Sequence, residues 1–434
     1  MKQQDIDIRG MPYVPGIACG TVQHGTADDI TRRILILRQQ DIDTIFEAPL
    51  AFIVIEGAPF SHTMIRFMSM GVPTVIISEQ QAACLNEGIE VTIDGASGRI
   101  TSQIPDEIIP QSVNLPEATL PLTTTDQISV SLRASVRNQE AAERSRLAGA
   151  EAIGLVRSEF LALDNGSVPG TDFYTQAFGE ICEAAAPLPV TIRLLDLAAD
   201  KIPKWMPVID STESALGLQG VRLYGIEPMK SVYQAQLTAI NRLSENYDIR
   251  ILIPYLVRHE ELRFWVDHIR QQLSKPLALG AMAETPASVL ELANWFDLVD
   301  FVAIGCNDLM QCLFAADRDR GELRDYLDPY APVLWRFMQQ IAMNAEQYLG
   351  KIQLCGVLAQ LPGVIPILLG LGYRTFSVEA RLLPYLRQTV ISTQVTEAQK
   401  LAQQICAAKE SREVLDLLGL TDQSYQPYLA PPTT

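Results

Sequence analysis

Hydrophobic and polar positions divide the first hundred residues into short strand-like runs. Apolar runs stand at 34–37, 51–56, 73–78 and 89–93, each bounded by polar or turn-forming residues. Between the second and third runs, the segment from Ser61 to Met70 is predicted to be a short helix, which Gly71 ends. The pattern predicts a first α/β domain over residues 1–104.

The next segment, residues 105–126, has a different composition. It has no apolar periodicity, and it contains four prolines: Pro105, Pro110, Pro116 and Pro121. Proline fixes the backbone in extended conformations and interrupts helices and strands, so this segment is predicted to be a linker between domains.

After the linker, eight apolar runs alternate with helical patterns. One helix is predicted from Gln139 to Ala148, and another is predicted to begin at Asp328–Pro329 and to end at Gly350. Eight such alternations favour a closed (β/α)8 barrel over residues 127–434. A doubly wound open sheet is the alternative, because a count of strands cannot prove closure. The eight runs are 128–134, 152–157, 190–196, 251–256, 277–284, 298–305, 352–357 and 375–380.

Composition narrows the functional classes. The 434 residues are 48% hydrophobic and 20% charged, which is typical of folded domains with real cores. A formal net charge of -17 opposes binding to nucleic acid or to an anionic membrane, and the longest nearly apolar run, 361–372, is too short to span a bilayer. Seven scattered cysteines without a CxxC motif and a charged N-terminus predict a cytoplasmic protein with reduced thiols.

Charged and nucleophilic residues lie at the ends of the predicted barrel strands, where β/α barrels carry their active sites. Two carboxylates with room for water suit Mg²⁺, and arginines suit a phosphate or carboxylate group. A salt bridge would explain any one of these charges, but together they predict a site for a phosphorylated acid and magnesium. The residues are Arg157, Arg193, Glu284, Asp308 and Cys355.

Several segments, in chain order, resemble the phosphoenolpyruvate-utilising enzymes, and specifically enzyme I of the sugar phosphotransferase system. The resemblance implies a swivelling phosphohistidine domain followed by a phosphoenolpyruvate-binding barrel. The barrel domain of this family forms dimers, so the resemblance also implies a homodimer. The segments are VPGIACG (14–20), GAPFSHTMI (57–65), GAEAIGLVRSEFL (149–161), VTIRLLDLAADK (190–201), LGLQGVRL (216–223), GAMAETPAS (280–288), VAIGCNDLMQCLFAADRDR (302–320) and LCGVLA (354–359).

The resemblance also implies roles for individual residues. His62 would take the phosphoryl group from phosphoenolpyruvate, Cys355 would protonate the methylene carbon as pyruvate forms, and Glu284 and Asp308 would hold Mg²⁺. Substrate-binding roles are implied for Arg157, Arg193, Lys201, Arg222, Asn307 and Arg318. Without the resemblance, the ordinary interpretation of Arg318 in AADRDR is that it belongs to a solvated charge run.

The sequence departs from the enzyme I pattern in ways that leave the acceptor open. The helical domain that docks the carrier protein has no room between VPGIACGTVQHG and the next strand, and no ATP-grasp or P-loop nucleotide module is visible. Phe60 stands where a threonine is usual, Val357 where a glutamate is usual, and Ala198–Ala199 where two glycines are usual. The expected reaction is Mg²⁺-dependent transfer from phosphoenolpyruvate to His62 and then to an unidentified acceptor. A small-molecule acceptor in metabolism, or a non-catalytic phosphoenolpyruvate sensor, are the alternatives.

Overall fold

The computed structural model describes residues 6–25, 30–45, 48–102, 121–161, 166–197, 203–206 and 216–420. The strands are β1 (Asp7–Arg9), β2 (Met11–Val14), β3 (Ile17–His24), β4 (Arg33–Arg38), β5 (Ala51–Ile55), β6 (Thr74–Ile77), β7 (Glu90–Asp94), β8 (Arg99–Thr101), β9 (Ser131–Val136), β10 (Ile153–Arg157), β11 (Val190–Arg193), β12 (Ile249–Leu256), β13 (Leu279–Ala283), β14 (Phe301–Gly305), β15 (Ile352–Cys355) and β16 (Thr375–Glu379). The helices are α1 (His62–Met70), α2 (Glu79–Ala82), α3 (Gln139–Leu147), α4 (Thr171–Ala185), α5 (Met229–Leu243), α6 (His259–Arg270), α7 (Pro286–Leu290), α8 (Leu292–Trp295), α9 (Cys306–Phe314), α10 (Pro332–Asn344), α11 (Val364–Gly370), α12 (Leu383–Ser392), α13 (Val395–Ala407) and α14 (Ser411–Leu417).

Strands β1 to β8 form one mixed sheet in the order β1-β8-β7-β3-β4-β5-β6-β2. The four strands predicted from apolar runs are β4 to β7. Strand β3 pairs in parallel with β4, β4 with β5, and β5 with β6. Buried aliphatic side chains such as Ile34, Ile53 and Val75 pack on one another in a compact cluster. The chain passes from His24 to Arg33 between β3 and β4, which is too short to hold an inserted helical domain.

Strands β9 to β16 form a closed parallel barrel. The last strand, β16, pairs with the first, β9, from Thr375 opposite Ser131 to Glu379 opposite Ser135. This pairing confirms the predicted barrel and excludes the open sheet. Each of the eight predicted runs overlaps a barrel strand.

Two local expectations need correction or refinement. The helix expected to begin at Asp328–Pro329 begins at Pro332, because Asp328 instead accepts the backbone N–H of Tyr330 in a turn, at 2.8 Å. Pro332 then occupies the first turn of α10, where proline is tolerated. The helix ends at Asn344 and not at Gly350, because the chain continues as a 3-10 helix over Glu346–Lys351. At the end of the predicted linker, Val130 donates its backbone N–H to the carbonyl of Leu122, and Asp126 accepts the backbone N–H of Val395 from the barrel's C-terminal region.

Membrane and disulfide expectations can be compared with the described part of the chain. None of its helices is both long and apolar enough to cross a membrane. All seven cysteines lie within the described ranges and carry free thiols.

Candidate active site at the barrel mouth

Five of the predicted site residues lie at the same end of the barrel. Arg157, Arg193 and Cys355 are the last residues of β10, β11 and β15. Glu284 directly follows β13, and Asp308 lies in the first turn of α9, just after β14. Because parallel strands end at one face of the barrel, the fold brings these side chains to a common mouth.

Arg193 is buried between two carboxylates that the sequence analysis missed. It donates to Glu159 at 2.6 Å and pairs with Asp196 at 2.8 Å. Burial alone would lower the pKa of the Arg193 guanidinium, but the two carboxylates outweigh it and raise that pKa. The guanidinium therefore stays charged and fixed in orientation. The available signal was the spacing of acidic residues two or three positions after Arg157 and Arg193.

Glu284 and Asp308 concentrate negative charge in a buried place. Glu284 is 1% exposed, and its Oε2 accepts the backbone N–H of Tyr255 at 3.2 Å. Burial raises the pKa of the Glu284 carboxyl, and the charges of Asp308 and Asp196 raise it further. Gly305 makes room for this carboxylate, because a Cβ there would lie 2.4 Å from Glu284 Oε1.

These two carboxylates fit Mg²⁺. A divalent cation would relieve the repulsion that raises the Glu284 pKa, and Mg²⁺ commonly takes only one or two carboxylates, with waters and substrate oxygens completing its shell. Across the described ranges, no group of three or more histidine, cysteine, aspartate or glutamate side chains is arranged to hold a metal. Glu284 and Asp308 are therefore a pair of carboxylates and not a complete protein cage in the described part of the chain.

Arg318 belongs to this site and not to a solvated charge run. Its guanidinium lies 3.3 Å from Asp308 Oδ1, and its backbone N–H donates to Gln311 at 3.0 Å. Its side chain is only 7% exposed, whereas that of Arg320 is 69% exposed and pairs with Asp317. The charge-run interpretation is wrong for Arg318 and holds for Arg320.

Cys355 sits in a polar setting inside the barrel. The side-chain amide of Gln353, a third residue that the sequence analysis missed, donates to Cys355 Sγ at 3.3 Å. Burial raises the pKa of the Cys355 thiol to about 11, against the opposing effects of Gln353, Arg157 and Arg193. The thiol therefore stays protonated at neutral pH and can serve as a proton donor. The polar glutamine two residues earlier, on the same strand face, was the available signal.

The remaining barrel candidates line the same end in different ways. Arg157 lies 3.6 Å from Glu379 at the end of β16. Asn307 accepts the backbone N–H of Val357 at 2.9 Å, which ties the loop after β15 to α9. Arg222 is exposed, and its guanidinium lies 5.1 Å from the centre of the Tyr255 ring. Lys201 and Ala198–Ala199 lie outside the described residues.

The motif around His62 starts helix α1. Ser61 caps the helix by accepting the Met64 backbone N–H at 3.2 Å, and Gly71 ends it in the left-handed conformation, as expected. Phe60 is 1% exposed and packs in the hydrophobic core. His62 is the first residue of α1, but its side chain lies outside the described part of the structure.

This motif lies beside the barrel mouth. Arg324, in a 3-10 helix after the Arg318 segment, pairs with the Glu56 carboxylate at 2.7 Å. Tyr13 donates to the carbonyl of Pro59, and its hydroxyl pKa is raised by burial and then by the charge of Glu379. Tyr13 belongs to the first sheet, and Glu379 lies at the end of β16. Because the charge of Glu379 acts on Tyr13, this part of the first sheet lies close to the candidate site.

Comparison with known proteins identifies the class. The family model described as "PEP-utilising enzyme, PEP-binding domain" matches residues 114–395, which is more than half of the chain. The chain therefore belongs to the phosphoenolpyruvate-utilising enzymes, and the resemblance stated from its motifs is confirmed.

Individual relatives agree with this assignment. The chain is 30% identical to the phosphoenolpyruvate-protein phosphotransferase of Streptomyces coelicolor, over 91% of this chain and 73% of that protein. It is 29% identical to the same-named protein of Buchnera aphidicola subsp. Schizaphis graminum, over 85% and 68%. It is also 29% identical to multiphosphoryl transfer protein 2 of Escherichia coli, over 84% of this chain and 46% of that longer protein.

Proposed function

We propose that the protein catalyses Mg²⁺-dependent transfer of the phosphoryl group of phosphoenolpyruvate to His62 and releases pyruvate. The observation that carries this proposal is the shared barrel mouth, where buried arginines, two repelling carboxylates and a protonated thiol lie beside the segment that contains His62. Family membership and the names of the relatives support the same substrate and reaction.

Each group has a distinct task in the reaction. Arg157, Arg193 and Arg318, with the exposed Arg222, bind the phosphate and carboxylate of the substrate, and Lys201 and Asn307 complete this set. Glu284 and Asp308 would hold Mg²⁺, which would neutralise charge on the substrate oxygens. Arg193 arrives oriented because Glu159 and Asp196 hold it, so little ordering is needed on binding.

The proposed reaction gives two products, phosphorylated His62 and pyruvate. A nitrogen of the neutral His62 ring forms a bond to phosphorus, and the bond from phosphorus to the enol oxygen breaks. The electrons released form the enolate of pyruvate, whose methylene carbon takes the proton of the Cys355 thiol. The thiolate is then reprotonated from solvent. A pKa of about 11 keeps this thiol in its donor form before each turnover.

The second half of the proposal is onward transfer from His62 to an acceptor, in the cytoplasm. The short passage between β3 and β4 leaves no inserted helical domain for docking a carrier in the enzyme I manner. The acceptor is therefore another protein surface or a small molecule, and a homodimer remains an analogy with the family barrel. The proposed division is a swivelling domain over 1–104, a linker over 105–126 and the barrel over 127–434.

The test uses the full chain with Mg²⁺ and phosphoenolpyruvate labelled in its phosphate. Wild type should gain acid-labile label and release pyruvate in equal amount, and His62→Ala should gain none. His24→Ala is the matched control, because His24 lies in the same sheet, at the end of β3, and should label normally. Binding of phosphoenolpyruvate without label on wild type would overturn the proposal in favour of a sensor. Label on His62→Ala would assign another acceptor residue.

A further inference from the structure

A cavity lies at the end of the barrel opposite the candidate active site. Its volume is about 340 Å³. Arg133 and Arg250 line it from the beginnings of β9 and β12, and Lys351 lies just before β15. Asp248 and Asp300 also line it, with Ala278, Phe301, Gly350, Ile352, Gln353 and Thr375.

The positive charges of this cavity are poorly neutralised. Arg133 donates only to neutral groups, Gln353 Oε1 at 3.1 Å and Ser131 Oγ at 3.4 Å. Burial lowers the pKa of the Arg133 guanidinium and the charge of Arg250 lowers it further, against the smaller opposing effect of Glu151. In the described part of the chain, no carboxylate lies within ion-pair distance of Arg133 or Lys351. An anion would relieve the repulsion between the two arginines.

The two acids of the cavity do not fill this role. Asp248 lies 4.0 Å from Arg250, and its side chain is 61% exposed, so water screens the pair. Asp300 accepts the backbone N–H of Leu279 at 2.9 Å, which directs one carboxylate oxygen to the main chain. A concentration of cations is also not a consequence of overall composition, because the chain has a formal net charge of -17.

We propose that this cavity is a binding site for a small oxyanion, a metabolite bearing phosphate or carboxylate groups. Two guanidinium groups and an ammonium around one space provide several donors to such an anion. The volume is at the lower end of that of small-molecule sites, which suits a compact metabolite rather than a nucleotide cofactor or a peptide.

The site has a direct connection to the candidate active site. Arg133 donates to the Oε1 atom of Gln353, and the amide nitrogen of the same Gln353 donates to Cys355 Sγ. An anion that draws Arg133 towards the cavity therefore alters the hydrogen bonding of the proton-donor thiol. The binding proposal itself does not depend on the proposed phosphoryl transfer.

Protection of Lys351 from acylation tests the proposal locally. The full chain is treated with an acetylating N-hydroxysuccinimide ester in inorganic phosphate, malonate or chloride at equal ionic strength, and the acetylation of each lysine is followed by peptide mass spectrometry. Phosphate should slow acetylation of Lys351 at least threefold and leave that of Lys230, an exposed lysine on α5, unchanged. Equal Lys351 rates in phosphate, malonate and chloride would overturn the proposal.

Variants separate this site from the barrel mouth. Arg250→Gln should abolish the protection of Lys351, and Arg250→Lys, which keeps the charge, should retain part of it. The matched control is Arg242→Gln, since Arg242 is a surface arginine on α5 that pairs with Asp172. In this variant phosphate should still protect Lys351 fully. Protection that persists in Arg250→Gln would overturn the proposal. A comparison of malonate with phosphate distinguishes carboxylate from phosphate ligands. The anion that slows Lys351 acetylation more carries the group that the cavity prefers.

Discussion

The Cys355 thiol provides a prediction at the residue scale. Burial raises its pKa from an ordinary 9.0 to about 11, so thiolate forms two pH units later than in an exposed thiol. Because only thiolate reacts with iodoacetamide, the alkylation rate of Cys355 in the folded protein should still rise about tenfold per pH unit between pH 9 and 10. Rates are measured by mass spectrometry of the peptide that contains Cys355.

The same cysteine in the urea-unfolded chain is the control. There the thiol regains its ordinary pKa, and its rate should level off above about pH 9. A folded-state rate that levels off at the same pH would contradict the raised pKa and, with it, the role of Cys355 as a standing proton donor. The raised pKa of Cys355 also affects stability. Its contribution to the free energy of unfolding is fully present at neutral pH and is lost as pH rises from 9 towards 11, because the unfolded chain loses this proton first.

Single residues also show why part of the candidate site could be predicted from sequence and part could not. Glu284 could be predicted because it ends an apolar run, and Arg193 because it is a charge within one; the ends of barrel strands share one mouth. Glu159 and Gln353 were missed, because neither the spacing of Glu159 after Arg157 nor the place of Gln353 on the face of Cys355 by itself distinguishes a site residue from an ordinary polar side chain. Their importance comes from neighbours distant in the chain, as when Gln353 bonds both Arg133 and Cys355.

At the scale of the element, strand prediction succeeded where the strands are buried on both sides. Barrel strands such as β13 and β14 are wholly buried, so they stand out as continuous apolar runs. The strands β1, β2, β3 and β8 were not predicted, because each carries exposed or half-buried residues and none is a continuously buried apolar run. The start of α10 was misplaced since an aspartate before a proline caps a turn as readily as a helix.

The junction of β14 and α9 provides a prediction about metal binding. A Cβ on Gly305 would lie 2.4 Å from Glu284 Oε1, so Gly305→Ala must displace that carboxylate. We expect the affinity for Mn²⁺, a spectroscopic substitute for Mg²⁺, to fall at least tenfold. Electron paramagnetic resonance of free Mn²⁺ measures this without any need for turnover.

The matched control is another glycine-to-alanine change. In the middle of α4, a Cβ on Gly179 would meet its nearest atom at 3.5 Å, which is ordinary contact. Gly179→Ala should leave Mn²⁺ affinity unchanged and should raise the free energy of unfolding by about 0.5–1 kcal/mol, because glycine is a poor helix former. Unchanged Mn²⁺ affinity in Gly305→Ala would remove Glu284 from the proposed metal site.

At the scale of the whole molecule, a contact between Arg324 and Glu56 joins the barrel to the first sheet. Arg324 pairs with the Glu56 carboxylate at 2.7 Å and also donates to the Glu56 backbone carbonyl. Glu56 has a φ of 54°, which is uncommon for a residue other than glycine, and it follows β5 directly before the His62 motif. This contact therefore positions the motif relative to the barrel mouth, and a swivelling domain would have to break it in each cycle.

Removal of this contact should shift the domain equilibrium towards open forms. Both partners are half-buried, so Arg324→Gln should cost about 0.5–1 kcal/mol of docking free energy, which is a two- to fivefold change in the docked population. We expect a larger radius of gyration in small-angle X-ray scattering and a similar fall in the rate of His62 labelling. Arg320→Gln, an exposed arginine four residues earlier that pairs with Asp317, should change neither quantity. An unchanged radius together with an unchanged labelling rate in Arg324→Gln would mean that packing at helix α1, and not this ion pair, holds the two sheets together.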